Sequence, residues 1–339
     1  MFSIGIDLHK EMSYICIINP NGDVILKTSI TNNIDTLKTF FEQCPKPFQA
    51  AVESTFNWYY FVDILEQYAD KVYLANPFEL KAFAKRNKKT DKIDAFLIAD
   101  ILHKGYLPVV HIAPQKVRQY RELLRHRIKL IQDRSRSIAR IKSLLDRLGY
   151  NSDSDFTCLK RLSTIEKYKL PVVYQSSLSH SIDQIRYLRY KSHQVEKEIK
   201  NIVSKNKEAQ LLLSIPGIGP FSALLLASEI IDINRFRSFN RFCSYGGFAP
   251  RVKASANKMV YGPLSKNRCK NIQWILLENV YTYLKYLPDK KEKYESIKKR
   301  KNTNTARVSL ARDMLKMVYF VLKEQRPFYY NKETVQSAA

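Results

Sequence analysis

The chain has 339 residues, 45% hydrophobic and 26% charged, enough for two or three packed domains and incompatible with wholesale disorder. Its 57 lysines and arginines outnumber 32 acids, for a net charge of +25, yet residues 1–100 hold 11 basic and 13 acidic side chains. A basic excess confined to the rest of the chain fits a polyanion, nucleic acid before an anionic membrane; five scattered cysteines without C-x-x-C exclude a disulfide framework and a structural zinc.

The N-terminus, with Asp7 and no basic lead, does not read as a signal peptide, so a soluble, cytoplasmic protein is expected. Residues 2–6 and 14–18 are short apolar or β-branched runs. Asn19-Pro20-Asn21-Gly22, before a third run at 24–28, is hairpin-turn chemistry. Asn32 and Asn33 can cap a helix through Leu37, Phe40 and Phe41. Residues 48–52 predict a strand ending in Glu53, 58–68 a helix and 72–75 a strand. Pro77 opens a helix over 78–84, and Thr90 or Asp91 caps another through Leu102. Three leading strands followed by alternating helices and strands predict a ribonuclease-H-like mixed α/β sheet. No G-x-G-x-x-G follows the first strand, which excludes a dinucleotide fold.

Beyond residue 115 the pattern becomes helical. Leu124, Ile128, Ile131, Ile138, Ile141, Leu145 and Leu148 recur at three- and four-residue steps, interleaved with arginines. That predicts one long amphipathic helix, on whose basic face Arg121, Arg125 and Arg136 are candidate phosphate contacts. Residues 151–155 predict a linker. Ile182, Ile185, Leu188, Val195, Ile199 and Ile202 predict a second helix near 180–205, paired as an antiparallel hairpin or as an intermolecular coiled coil. Twenty uncharged residues between Glu208 and Glu229 are interrupted by Pro216-Gly217-Ile218-Gly219-Pro220, which predicts a helical hairpin, not a membrane span. Gly217 and Gly219 either bring backbone N–H groups to a phosphate or make a tight interhelical turn. Residues 246–258 read as a basic loop and Tyr261-Gly262-Pro263 as a further break. A basic helical segment at 290–326 carries Leu310, Met314, Leu315, Val318 and Leu322 on one face. Tyr187, Tyr190, Tyr245, Phe248 and Tyr261 stand among basic residues and are candidates for stacking on unpaired bases. Boundaries at 1–114, 115–208 and 209–339 divide the chain into a mixed-sheet domain, a coiled-coil region and a mostly helical domain.

Four acids stand where chemistry is expected. Asp7 and Glu53 end strands, and Asp91 and Asp94 share one helix face. In a ribonuclease-H-like sheet these positions converge, and clustered carboxylates call for divalent cations, magnesium first and manganese next. Each acid taken alone also reads as a turn, cap or solvated residue.

Gly5-Ile6-Asp7-Leu8-His9-Lys10, Val52-Glu53-Ser54-Thr55 and Lys89-Thr90-Asp91-Lys92-Ile93-Asp94-Ala95 resemble the RuvC-like DEDD domain of prokaryotic insertion-sequence transposases, the recombinases guided by a bridge RNA. Ile215-Pro216-Gly217-Ile218-Gly219-Pro220, Arg235-Phe236, Tyr245-Gly246-Gly247, Ala249-Pro250-Arg251, Ser255, Leu264-Ser265-Lys266 and Ala311-Arg312 follow the order of that family's serine-bearing transposase domain. The resemblance implies that Asp7, Glu53, Asp91 and Asp94 are catalytic metal ligands and that Ser255 is a nucleophile. Those two parts would act together within one chain or between chains. Ala256-Asn257 stand where the family commonly has glycines, and Ser265 is the rival nucleophile. Arg251, Lys253, Lys258 and Lys266 are expected to hold nucleic-acid phosphate near the serine. Donor and target DNA, a bridge RNA and homodimers assembling into a tetramer are the implied partners, at the nucleoid. Two alternatives stay open: a structure-selective nuclease using metal-activated water, and a non-catalytic RNA- or DNA-binding protein.

Overall fold

Ile4 and Ile6 are fully buried on one face of the first strand, while alternation turns Gly5 and Asp7 to the other, so both faces need cover. The computed structural model describes residues 1–83, 91–150, 156–157, 159–255 and 258–329, and the cover comes from within the first of two units, Met1–Ala113. Its strands are β1 (Phe2–Leu8), β2 (Met12–Ile18), β3 (Val24–Thr31), β4 (Phe48–Glu53), β5 (Lys71–Ala75) and β6 (Val109–Val110). Its helices are α1 (Ile34–Glu42), α2 (Trp58–Leu65), α3 (Pro77–Leu80) and α4 (Asp91–His103). The sheet runs β3-β2-β1-β4-β5-β6. Its β1–β4 and β4–β5 pairs are parallel and the others antiparallel, which is the expected mixed α/β architecture.

Leu37 and Phe41 of α1 and Phe61 and Leu65 of α2 pack on Ile4, Ile6, Ile15 and Ile17. Across the sheet, Ala95 and Ala99 of α4 meet Cys16 and Ile18, and Ile98 and Ile101 meet Ala51 and Ala75. Helix α4 lies this close because residue 5 has no side chain. A Cβ on Gly5 would stand 2.2 Å from Ala99 N and 2.3 Å from Ala95 O. The predicted punctuation is present: Asn19 Oδ1 accepts from the Asn21 and Asp23 amides, and Asn33 caps α1 by accepting from Asp35 N.

In the second unit, Pro114–Ala339, the first helices are α5 (Gln115–Arg147), α6 (Leu159–Ile165) and α7 (Val172–Val203). Then come α8 (Lys207–Leu212), α9 (Pro220–Ile230), α10 (Phe239–Tyr245), strands β7 (Pro250–Ser255) and β8 (Lys258–Leu264), α11 (Lys270–Tyr286), α12 (Asp289–Arg300) and α13 (Thr303–Glu324). Helices α5 and α7 form an antiparallel hairpin within the chain. Arg127 donates to Glu196 (2.8 Å) near one end and Ser137 to Gln184 (2.9 Å) further along. Leu124, Leu188 and Val195 join the core built by the later helices, whereas Ile141, Leu145, Leu178 and Ile182 form a separate cluster with α6.

Several expectations are corrected. The basic loop expected at 246–258 is largely strand: residues 250–255 form β7, held to β8 by the pairs Val252↔Tyr261, Lys253↔Val260 and Ala254↔Met259. The Tyr261-Gly262-Pro263 break lies inside β8, where the ladder shifts register opposite Pro250 and Val252, a place that tolerates proline. Helix α2 stops at Leu65, α3 spans only four residues, and α7 begins earlier than expected. The two-residue β6 is too short to leave a periodic signal. The expected linker at 151–155, the helix end at Ala84 and the cap Thr90 lie outside the described residues.

Gly5→Ala is expected to push α4 off the sheet and cost about 3 kcal/mol or more. Urea unfolding of the full chain checks this; a loss below ~0.5 kcal/mol would show that α4 can retreat freely.

Candidate metal centre and nucleic-acid surfaces

Asp7 comes near the end of β1, on the face that α4 covers, and is only 6% exposed. Asp91 is the first residue of α4 and Asp94 lies one turn on, so the helix that packs against Gly5 also delivers these two carboxylates. His9, the residue just past the end of β1, places Nε2 3.2 Å from Asp7 Oδ2 and 3.5 Å from Asp91 Oδ2. The Asp7, His9 and Asp91 ligand atoms all lie within 4.8 Å of one another. In the parallel β1–β4 ladder Ile6 pairs with Val52, so half-buried Glu53 stands one residue beyond that pair on the neighbouring strand.

The surrounding chain fixes this corner. Asn32 Nδ2 and Asn57 Nδ2 both donate to His9 O, at 2.8 and 2.7 Å. Ser13 Oγ donates to Asn32 Oδ1 and Thr55 Oγ1 to Asn57 Oδ1, so β2 and the segment after Glu53 are tied to the end of β1. Burial pushes the Asp7 carboxyl above its ordinary pKa; His9 opposes that shift, and the charges of Asp94 and Asp91 add to it. A buried carboxylate among like charges, with an imidazole nitrogen alongside, is a donor set that fits a divalent cation. His9 was not among the candidate ligands that the sequence offered, which were the four acids alone. Its available signal was the Asp-x-His spacing at the end of the first strand.

The second unit sorts the other candidates. Ser255 ends β7 and pairs with Lys258 across the hairpin, with Lys253 opposite Val260. Arg251 and Lys266 are exposed. Ser265 closes the hairpin base, its N–H donating to Ala249 O (3.3 Å), and its hydroxyl accepts from Asn267 N. Arg121, expected on the open basic face, is instead turned inward, donating to Ser228 O (2.9 and 3.1 Å) and pairing with buried Glu229 (3.3 Å). Arg125 and Arg136 are exposed, each beside an acid three residues earlier on the helix, Glu122 and Asp133. Gly217 has φ +84°, and a Cβ there would meet Tyr283 N at 2.8 Å, so this glycine makes a tight turn against α11. Gly219 starts α9 in open space. Phe248 is buried, and Tyr245 lies under Arg235 with its hydroxyl donating to Glu229 O, so neither is free to stack on a base. Tyr187 and Tyr190 are exposed. Among the described residues no helix is long and apolar enough to cross a membrane.

Residues 4–149 match the DEDD transposases of the IS110 type, and residues 209–295 match the family described as transposase IS116/IS110/IS902. The chain is 28% identical over 288 residues, 84% of each chain, to the transposase for insertion sequence element IS1328 of Yersinia enterocolitica. It is 23% identical to the transposase for insertion sequence element IS1111A of Coxiella burnetii, over 96% of this chain and 90% of that one. A pilin gene-inverting protein of Moraxella bovis is 26% identical over 76% of this chain and 74% of its own length.

Three outcomes are expected. With its pKa raised by folding, Asp7 binds a proton more tightly in the folded state than in the unfolded one, so its contribution to stability falls as pH rises through the ordinary carboxylate range. Asp7→Asn should therefore raise the melting temperature at neutral pH in EDTA and flatten that part of the pH profile. It should also remove any stabilisation by added divalent cation; a drop in melting temperature in EDTA would contradict the burial argument. Arg121→Ala should cost about 3 kcal/mol in urea unfolding by removing the guanidinium paired with buried Glu229 and leaving that carboxylate to Asn271. Arg125→Ala with Arg136→Ala should leave stability intact and reduce the salt slope of nucleic-acid binding by about 0.7–0.9 per lost phosphate contact. An unchanged slope would assign that helix face to protein packing.

Proposed function

Because the chain belongs to the IS116/IS110/IS902 family of transposases, enzymes that cut and rejoin DNA, we propose that it mobilises its insertion sequence by serine attack assisted by a DEDD metal centre. The observation that carries the metal reading is the convergence of buried Asp7 with His9 and Asp91. Asp7, Glu53, Asp91 and Asp94 would hold magnesium, with manganese as the substitute. When bound, such a cation supplies Lewis-acid stabilisation of charge on phosphoryl oxygen.

The residues divide the remaining work. Ser255 Oγ attacks a DNA phosphorus, loses its proton, and displaces a sugar hydroxyl that takes a proton in its place. The product is a phosphoserine ester, which keeps a phosphodiester linkage available for rejoining without a nucleotide cofactor. Arg251, Lys253, Lys258 and Lys266 offset the phosphate charge around the hairpin. A bridge RNA selects donor and target DNA, which agrees with the +25 net charge, and homodimers assemble into a tetramer around the nucleic acids at the nucleoid.

Denaturing electrophoresis of end-labelled DNA tests the chemistry. Wild type and Ser265→Ala should give a protein-linked DNA band that EDTA and Asp7→Asn abolish, and Ser255→Ala should give none. Loss of the band in Ser265→Ala alone would move the nucleophile to Ser265. Free cut DNA without any adduct would assign the chain to hydrolytic nucleases. Sequencing RNA co-purified with the full chain tests the guide; absence of one enriched RNA would remove it.

A further inference from the structure

Far from the acidic corner in sequence, the last described helix leaves part of one face uncovered. Asp313, Lys316, Met317, Phe320, Val321 and Glu324 follow three- and four-residue steps along α13 and line a cavity of about 590 Å³. Lys290 and Lys293 from the start of α12 form another wall. The third wall is the chain after α13. Gln325 takes a left-handed conformation (φ 52°) that ends the helix, and Phe328 N then donates to Ser214 Oγ (2.7 Å). Phe328 also packs on the core of this unit, so Arg326 and Tyr329 stand on an anchored segment.

The charge and apolar surface here are unevenly satisfied. Lys293 is paired with Asp313 (2.6 Å) and Arg326 with Glu324. Among the described residues no acid is paired with Lys290 or Lys316. Phe320 is 42% exposed and Tyr329 81% exposed, although both rings line the same cavity. Lys316 lies 6.0 Å from the Phe320 ring centre, which puts a cation beside an aromatic face. Two uncompensated ammonium groups next to two open rings complement a ligand with a phosphate and a flat apolar surface. The volume falls within the range of small-ligand sites and is too small for a duplex, whose bases are in any case stacked on one another.

We propose that this groove takes one nucleotide of a single-stranded nucleic acid, its phosphate at Lys290 and Lys316 and its base against Phe320 and Tyr329. This site goes beyond the metal and serine chemistry and does not depend on either. Its failure and theirs are therefore separable.

The test uses the full chain and 12-residue oligonucleotides carrying 5-iodouracil, one of RNA and one of DNA, with photo-adducts mapped by peptide mass spectrometry. Adducts at Phe320 or Tyr329 are expected, and the ratio of the RNA and DNA arms tells which strand the groove prefers. Phe320→Ala with Tyr329→Ala should weaken oligonucleotide binding about five- to tenfold and abolish the mapped adducts. Lys290→Gln with Lys316→Gln should weaken binding and lower its salt slope. Unlabelled duplex of the same sequence should compete at least tenfold less well than the single strand. The four side chains leave the core untouched, and an unchanged melting temperature confirms that the variants fold. Adducts confined to other peptides, equal competition by duplex, or unchanged affinity in the aromatic variant would each overturn the proposal.

Discussion

The approach of α4 to β1 at Gly5 is the constraint on which the acidic corner depends. With hydrogen in place of a side chain at residue 5, the backbone of Ala95 and Ala99 settles directly on the strand. Asp7 is two residues along the same strand face, and Asp91 and Asp94 occupy the first turns of the same helix. One packing contact therefore both removes Asp7 from water and brings like charges towards it. Those two effects raise the energy of the carboxylate together, and His9 offsets only part of them. A divalent cation would relieve that conflict, and the packing that creates it also assembles the donor atoms.

The amides around His9 serve that same corner. Asn32 and Asn57 come from distant points in the chain, yet both end on the His9 carbonyl oxygen. A carbonyl with two donors is fully satisfied, which holds the turn after β1 and keeps the imidazole beside Asp7 and Asp91. The segment that follows Glu53 is fastened by the same bond network through Thr55 and Asn57. The end of β4 is thus referenced to the end of β1 by hydrogen bonds as well as by the parallel ladder.

The positive charge of the second unit has two different uses. Arg118 is buried, Arg121 braces α9 through Ser228 and Glu229, and Arg127 reaches Glu196 and the Phe221 ring. These guanidiniums hold helices together. Arg125 and Arg136 are exposed on the same helix, Arg125 beside Glu122 and Arg136 beside Asp133, each acid three residues earlier. Net charge alone counts both kinds equally, although the first kind is already committed to contacts within the protein.

Local pattern in the sequence determined the helices and strands with long, regular periodicity. The alternating β1 and β2, the 33-residue α5 and the apolar stripes of α7 and α13 are all legible there, because hydrophobic spacing is a property of neighbours along the chain. The strand-end and helix-start positions of Asp7, Glu53, Asp91 and Asp94 were legible for the same reason. Tertiary structure alone decided that Arg121 faces Glu229, that Gly217 yields to Tyr283, and that His9 joins the carboxylates. It also decided that β7 and β8 pair antiparallel despite Gly262 and Pro263. Burial, ladder pairing and close approach are set by residues far apart in sequence, and no spacing rule within one segment contains them.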